Sequence, residues 1–359
     1  MPRVTTGLAV VDYALGGGLP RGMITETYGP ESTGKTTFYL QVAAANQALD
    51  PNWRVLFLDY EQTLDREYAR DGLGVIMDRP RFILAQPSTI EEGALIAKTL
   101  MAQGLVNQVI WDTPAASQPA ETIKTPLTDK ELKKGYKSIE AGKSDTGRIG
   151  IHAQVFSYAL ASLVPVIAEK GIVFCFPNQL RTTINTWGAG ETTSGGRALK
   201  FYAAIRIRLS KTETVKESVA DTFLGTTTQT AVETLVQFRI VKNKTAPPER
   251  VVLVRQFFGR GFGDRETLFD LAVKRGIIGK AGGGNFTLPG GKAIRGTGNV
   301  LAYWEESPDE YAKVKAALYD IALQNAQDLV EDQHTESAES TDFADDDPEV
   351  DVPEGRVSI

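Results

Sequence analysis

The sequence predicts an α/β fold: a core on a mostly parallel central sheet, a small C-terminal α+β module and a disordered acidic tail. Three observations carry this. Gly29 to Thr36 fits G-x-x-x-x-G-K-[ST] and stands between a strand-like and a helix-like segment. Three further runs, residues 54–59, 107–112 and 171–177, have apolar centres and alternate with helical periods, as parallel strands covered on both faces do. Beyond Phe262 the pattern changes to short helical periods around a glycine-rich stretch, and from Asp328 high charge and low hydrophobicity take over. The expected division is residues 1–262 for the core, 263–327 for the module and 328–359 for the tail.

With 359 residues and 42% apolar content the chain buries a sizeable core. No apolar run approaches the ~20 residues of a membrane span, and Met-Pro-Arg-Val-Thr-Thr at the start lacks a signal-peptide core, so no membrane partner is expected. One cysteine, Cys175, excludes an internal disulfide framework and reads as a core thiol. His152 and His334 have no Cys or His at ligand spacing, which argues against zinc. The charge is uneven. Residues 328–359 hold 12 of the 45 acidic and one of the 39 basic residues, a local −11 within a net −6, so the body stands at +5. A mildly basic body with an acidic tail suggests a nucleic-acid partner, with the tail either competing for the same surface or only solubilising the chain.

Taken in order, Thr6 is placed to cap a short helix over residues 8–15, ended by Gly16 to Gly18. A strand over residues 23–28 then leads into Gly29, Pro30, Glu31, Ser32, Thr33, Gly34, Lys35, Thr36 and Thr37, and a helix runs to Leu49. In such a loop the glycines let consecutive backbone N–H groups converge on a phosphate at a helix N-terminus. Lys35 adds a full positive charge, and Thr36 offers a hydroxyl to Mg²⁺, which takes few protein ligands and keeps most of its waters. Asp59, Glu61 and Asp112 fall at the C-terminal ends of their strands, where ligands of open α/β sheets sit. Asp112 has the form of the acid that orders Mg²⁺ through water, and Glu61 that of a base or positioner for an attacking water.

Residues 120–148 form a polar insertion rich in lysine, with Tyr136 among them, suited either to tracking a phosphate backbone or to a solvated surface. Residues 182–196 read as a long loop with many glycines and hydroxyls and a single large ring, Trp187. Residues 201–209, 234–241 and 250–256 read as antiparallel strands, with Lys242 and Lys244 on the turn between the last two. Residues 264–276 and 308–324 carry helical periods on either side of a hairpin-like stretch at 279–298.

In this order the motifs resemble the bacterial RecA recombinase family, over nearly the whole chain up to the tail. The strongest stretches begin at Tyr28, Leu58, Asn178, Glu191 and Val241. The resemblance implies a RecA-like phosphate-loop core that uses ATP and Mg²⁺, with Glu61 as the catalytic glutamate and Thr36 and Asp112 at the metal. Asp65 and Tyr68 match positions that contact the adenine, and Gln179 the one that senses the γ-phosphate. The segment after Gln179 matches the second DNA-binding loop, which places Arg181, Thr182, Trp187, Gly188, Thr192, Thr193, Ser194, Gly195, Gly196 and Arg197 near DNA. The lysine-rich insertion stands where the first DNA-binding loop lies. Lys242 and Lys244 resemble the pair that reaches a neighbour's ATP across a filament interface, to which Lys200, Phe201 and Tyr202 also belong.

The chain departs from the family pattern twice: it starts after the N-terminal helix and strand that dock on the next subunit, and its first-loop region is longer and more basic. Both features suit a phage-encoded or divergent homologue. The resulting expectation is a cytoplasmic DNA-dependent ATPase, in a bacterial or phage-infected cell, that forms filaments on single-stranded DNA and pairs it with duplex. A RecA-fold regulatory or assembly protein that binds ATP without exchanging strands is the alternative.

Overall fold

The computed structural model describes residues 1–121, 146–185, 188–193, 196–221 and 226–320. The predicted acidic tail and most of the basic insertion at 120–148 lie outside them.

The chain opens with β1 (Arg3–Val4), α1 (Ala9–Leu15) and β2 (Leu19–Pro20), then runs from β3 (Met23–Gly29) through the phosphate loop into α2 (Lys35–Leu49). Next come β4 (Val55–Asp59), a π-turn at Tyr68–Gly72, β5 (Phe82–Ala85), α3 (Ile90–Ala102) and β6 (Gln108–Asp112). α4 (Thr146–Lys170) returns the chain to β7 (Val173–Asn185), followed by β8 (Gly188–Thr193) and α5 (Gly196–Tyr202). The antiparallel part holds β9 (Ile205–Asp221), β10 (Thr226–Asn243), β11 (Val251–Phe257) and β12 (Gly261–Phe262). Last come α6 (Asp264–Lys274), the strands β13 (Gly279–Ala281), β14 (Asn285–Thr287) and β15 (Ala293–Arg295), α7 (Thr297–Glu306), and a helix over residues 308–320.

The main sheet has the order β12-β11-β10-β9-β3-β7-β6-β4-β5, with β8 paired to β7. From β9 to β5 every neighbour is parallel; β9 to β12 are antiparallel. The register sets Gly29 opposite Gln179 and Asp59 opposite Asp112, so the predicted site residues share one end of the sheet.

Each face carries an apolar cluster. On one, α1 and α2 pack with Leu268, Phe269, Phe286 and Trp304 of the C-terminal segment. On the other, α3, α4 and α5 pack around Trp111, whose ring meets those of Tyr60, Phe156, Phe174 and Phe176. Within α4, Gly150–Lys170 is long and apolar enough to cross a membrane, contrary to the expectation that no run approaches that length. Its Phe156, Leu160, Leu163 and Ile167 are buried against the sheet at helical spacing, so its apolar stripe already has a protein partner.

Other expectations are corrected. Thr6 reaches only the start of α1: its hydroxyl accepts the Leu8 N–H at 3.2 Å and donates to Asp12 Oδ1 at 2.7 Å, while Asp264 Oδ1, 255 residues away, accepts the Ala9 N–H at 2.6 Å. The predicted strand at 201–209 begins only at Ile205, because Lys200, Phe201 and Tyr202 close α5. Most of the predicted loop at 182–196 is a hairpin: β7 continues past Gln179 and β8 pairs back on it from Leu180↔Thr193 to Asn185↔Gly188.

Candidate active site and nucleic-acid hairpin

The phosphate loop owes its shape to two glycines. A Cβ at Gly29 would lie 2.2 Å from the carbonyl oxygen of Leu209 in β9. Gly34 has φ +82°, and a Cβ there would meet the Phe262 ring at 2.7 Å. Lys35 opens α2 and donates from Nζ to the carbonyls of Gly29 (3.1 Å) and Pro30 (2.7 Å). Burial lowers its pKa, against the pull of Asp112, Glu61 and Glu31.

Thr36 Oγ1 donates to Asp112 Oδ2 at 2.7 Å, while Asp112 Oδ1 is buried with no partner among the described residues. Burial pushes the Asp112 carboxyl up to about 7; Thr36 and Lys35 oppose the shift, and Glu61 and Asp59 add to it. An orphaned buried carboxylate oxygen beside a threonine hydroxyl fits a hard cation with few protein ligands, so Thr36 and Asp112 suit Mg²⁺. Asp59 is engaged elsewhere, accepting the N–H groups of Thr63 and Leu64, both at 3.3 Å.

Glu61 Oε1 accepts from Gln179 Nε2 and from Thr113 Oγ1, each at 3.0 Å. Lys35, Thr36, Glu61, Asp112, Thr113 and Gln179 line one cavity of about 430 Å³, together with Glu31, Ser32, Gly34 and Thr37 of the phosphate loop. Beside it the Tyr68 N–H donates to Asp65 Oδ1 at 2.9 Å, and the Tyr68 hydroxyl bonds the Thr37 side chain. Close approach of Gly72 to the Gly259 carbonyl and the Tyr68 ring sets the β11–β12 turn against this ring.

The predicted DNA-contacting residues fall on the hairpin and the start of α5. Arg181 and Thr182 are on β7, Gly188 and Thr192 on β8, Gly196 and Arg197 on α5; Trp187, Ser194 and Gly195 lie outside the described residues. Thr193 is buried, its Oγ1 without a partner among the described residues, so it faces the protein interior. Lys242 and Lys244 are not brought to the cavity. Lys242 lies opposite Arg206, which lies opposite Glu26 in β3. That is two strands and three residues from Gly29, about 10 Å across and about 10 Å along the sheet. Lys242 Nζ instead donates to the carbonyl of Lys200 at 2.8 Å, and Lys244 is exposed.

The RecA N-terminal domain family matches residues 1–263. The chain belongs to the RecA family. Among its RecA relatives, the protein RecA of Acinetobacter baylyi is 34% identical over 342 residues, covering 95% of this chain and 88% of its own length. That of Lactobacillus delbrueckii subsp. bulgaricus is 36% identical over 85% of this chain and 83% of its own, and that of Corynebacterium diphtheriae 32% over 96% and 86%. This RecA family member is a recombinase of DNA recombination and repair. Membership implies a DNA-dependent ATPase, use of ATP and Mg²⁺, DNA binding and filament formation.

Sequence reasoning missed Thr113 and the β11–β12 turn. Thr113 directly follows Asp112, a visible signal; the turn near Gly259 gave none, because only the fold carries it to Tyr68.

Proposed function

We propose that this member of the RecA family forms a filament on single-stranded DNA, clamps ATP between protomers and exchanges strands with duplex. The observation that carries the proposal is the separation of Lys242 and Lys244 from a cavity that is otherwise furnished for phosphoryl transfer. Cations that cannot reach their own protomer's pocket are placed to serve a neighbour's, as basic residues supplied in trans do.

In this reading the phosphate loop and Lys35 bind the triphosphate, and Thr36 and Asp112 hold Mg²⁺, which supplies charge neutralisation at the phosphates. Asp65 and Tyr68 receive the adenine. Glu61 accepts the proton of the attacking water, while Lys35 and the neighbour's two lysines offset charge as it develops. Gln179 reports the γ-phosphate to the hairpin through β7, the strand they share. The hairpin and the basic insertion grip the DNA backbone, so binding falls steeply with salt and reads little sequence. The setting is the cytoplasm, and residues 263–327 form a module distinct in function from the ATPase core.

The test is ATP turnover with and without single-stranded DNA at low and high salt, joined to a mixing experiment. Lys35→Ala and Lys242→Met protomers, each inactive alone, are expected to regain turnover when mixed, because one supplies the intact pocket and the other the intact lysine. No stimulation by DNA at low salt would favour an ATP-binding regulatory protein, and no recovery on mixing would remove the trans arrangement.

A further inference from the structure

Thr113 sits where β6 ends, immediately after Asp112, and only 4% of it is exposed. Its hydroxyl has one described acceptor, Glu61 Oε1, at 3.0 Å. The β-branched side chain has few rotamers to choose from, so this donation is set before any ligand arrives. Its backbone is held as well. The Thr113 carbonyl accepts the N–H groups of Ala116 (3.2 Å) and Ser117 (3.3 Å), closing a turn. His152, near the start of α4, clamps that turn: Nε2 lies 3.1 Å from the Pro114 carbonyl and 2.9 Å from the Ser117 carbonyl. Two carbonyl acceptors require that Nε2 carries the hydrogen.

The other donor to the same oxygen is Gln179, and it stands on different ground. It belongs to β7, which runs on into the hairpin, so its amide moves with any shift of that strand. Both donors land on Oε1, and Oε2 makes no hydrogen bond among the described residues. The carboxylate is thus anchored by one oxygen and presents the other to the cavity.

We infer that Thr113 is the positioning residue of the catalytic glutamate: it keeps Glu61 oriented when Gln179 turns to the γ-phosphate. The inference rests on the proposed role of Glu61. Gln179 cannot both follow the nucleotide and hold the base still, and the buried threonine on the rigid strand end supplies the fixed point. No group is transferred by Thr113, which stays a hydroxyl donor throughout.

The experiment uses the full chain with single-stranded DNA and compares wild type, Thr113→Val, Thr113→Ser, Glu61→Gln and Thr113→Val/Glu61→Gln. Thr113→Val keeps the shape and removes the donor. It is expected to lower kcat about tenfold with KM for ATP within about twofold, and Thr113→Ser to retain kcat within about threefold. In the Glu61→Gln background, Thr113→Val is expected to have no further effect on single-turnover hydrolysis, because there is no base left to position. An unchanged kcat in Thr113→Val, equal losses in the Val and Ser variants, or a full additional loss on Glu61→Gln would overturn the inference while leaving the base assignment standing. Wild-type turnover by Glu61→Gln alone would instead overturn the role of Glu61 itself.

Discussion

Lys242 closes the last turn of α5 by donating from Nζ to the carbonyl of Lys200 at 2.8 Å. The contact spends the charge of one proposed trans lysine inside its own protomer, on the helix that follows the hairpin. Burial lowers the pKa of this ammonium, and nearby Lys244 and Arg206 lower it further.

A cation at a helix C-terminus contributes about 0.3–1 kcal/mol, and up to ~2 kcal/mol where partly buried. Lys242→Met is therefore expected to lower the melting temperature of the nucleotide-free protein by a few degrees, on the order of 2–4 °C per kcal/mol for a chain of this class. Lys244→Met, changing an exposed side chain, is expected to leave it unmoved. Both substitutions should cut DNA-stimulated turnover on the order of 10³-fold. Melting curves beside ATPase rates separate the two duties.

Asp112 makes the site sensitive to pH near neutrality. Its carboxyl holds a proton up to about 7 in the folded nucleotide-free protein, against 3.8 for a free side chain. Folded protein therefore binds more protons than unfolded chain between these values, and the stability from this group, full below about pH 4, is lost as pH rises through about 7. In the proposed reading, binding of Mg·ATP needs the carboxylate. Calorimetry in buffers of different ionisation enthalpy should show a proton released on binding at pH 6, with affinity falling about tenfold per unit further down. Asp112→Asn should flatten the stability profile and abolish the Mg²⁺ requirement together with turnover.

Asp264 fastens α6 to the start of α1. It accepts the Ala9 N–H with one oxygen and the Tyr311 hydroxyl with the other. Asp264→Ala should cost about 1–2 kcal/mol, the range for loss of a capping side chain, and Asp264→Asn clearly less. Denaturant unfolding of the two variants measures the difference.

Removing residues 328–359 takes away a charge of −11. If the tail competes with DNA, the truncated chain should bind duplex more tightly at low salt, with the gain fading as screening shortens the reach of the tail. Equal affinity at 50 mM salt would leave the tail a solubilising role.

The sequence revealed the parts of the site that are local in the chain. The phosphate loop is contiguous, Asp112 closes a short apolar run and Glu61 follows another by two residues, runs of the kind a covered parallel sheet requires. What stayed hidden depends on distant partners. The α1 cap comes from Asp264, a separation that no local pattern expresses. Phe201 and Tyr202 favour strands by propensity, yet they end a helix whose final carbonyls are held by Lys242. The glycine- and threonine-rich β8 shows no apolar alternation, because its pairing is fixed by β7 alone. Thr113 gains its role only when the end of β6 meets the loop after β4.

β7 runs from Val173 to Asn185 without a break, so the amide of Gln179 and the first limb of the hairpin are parts of one stiff beam. A beam without a joint transmits load equally in both directions. Whatever tightening a bound triphosphate lends to the grip on a strand of DNA, the strand must return in full to the triphosphate.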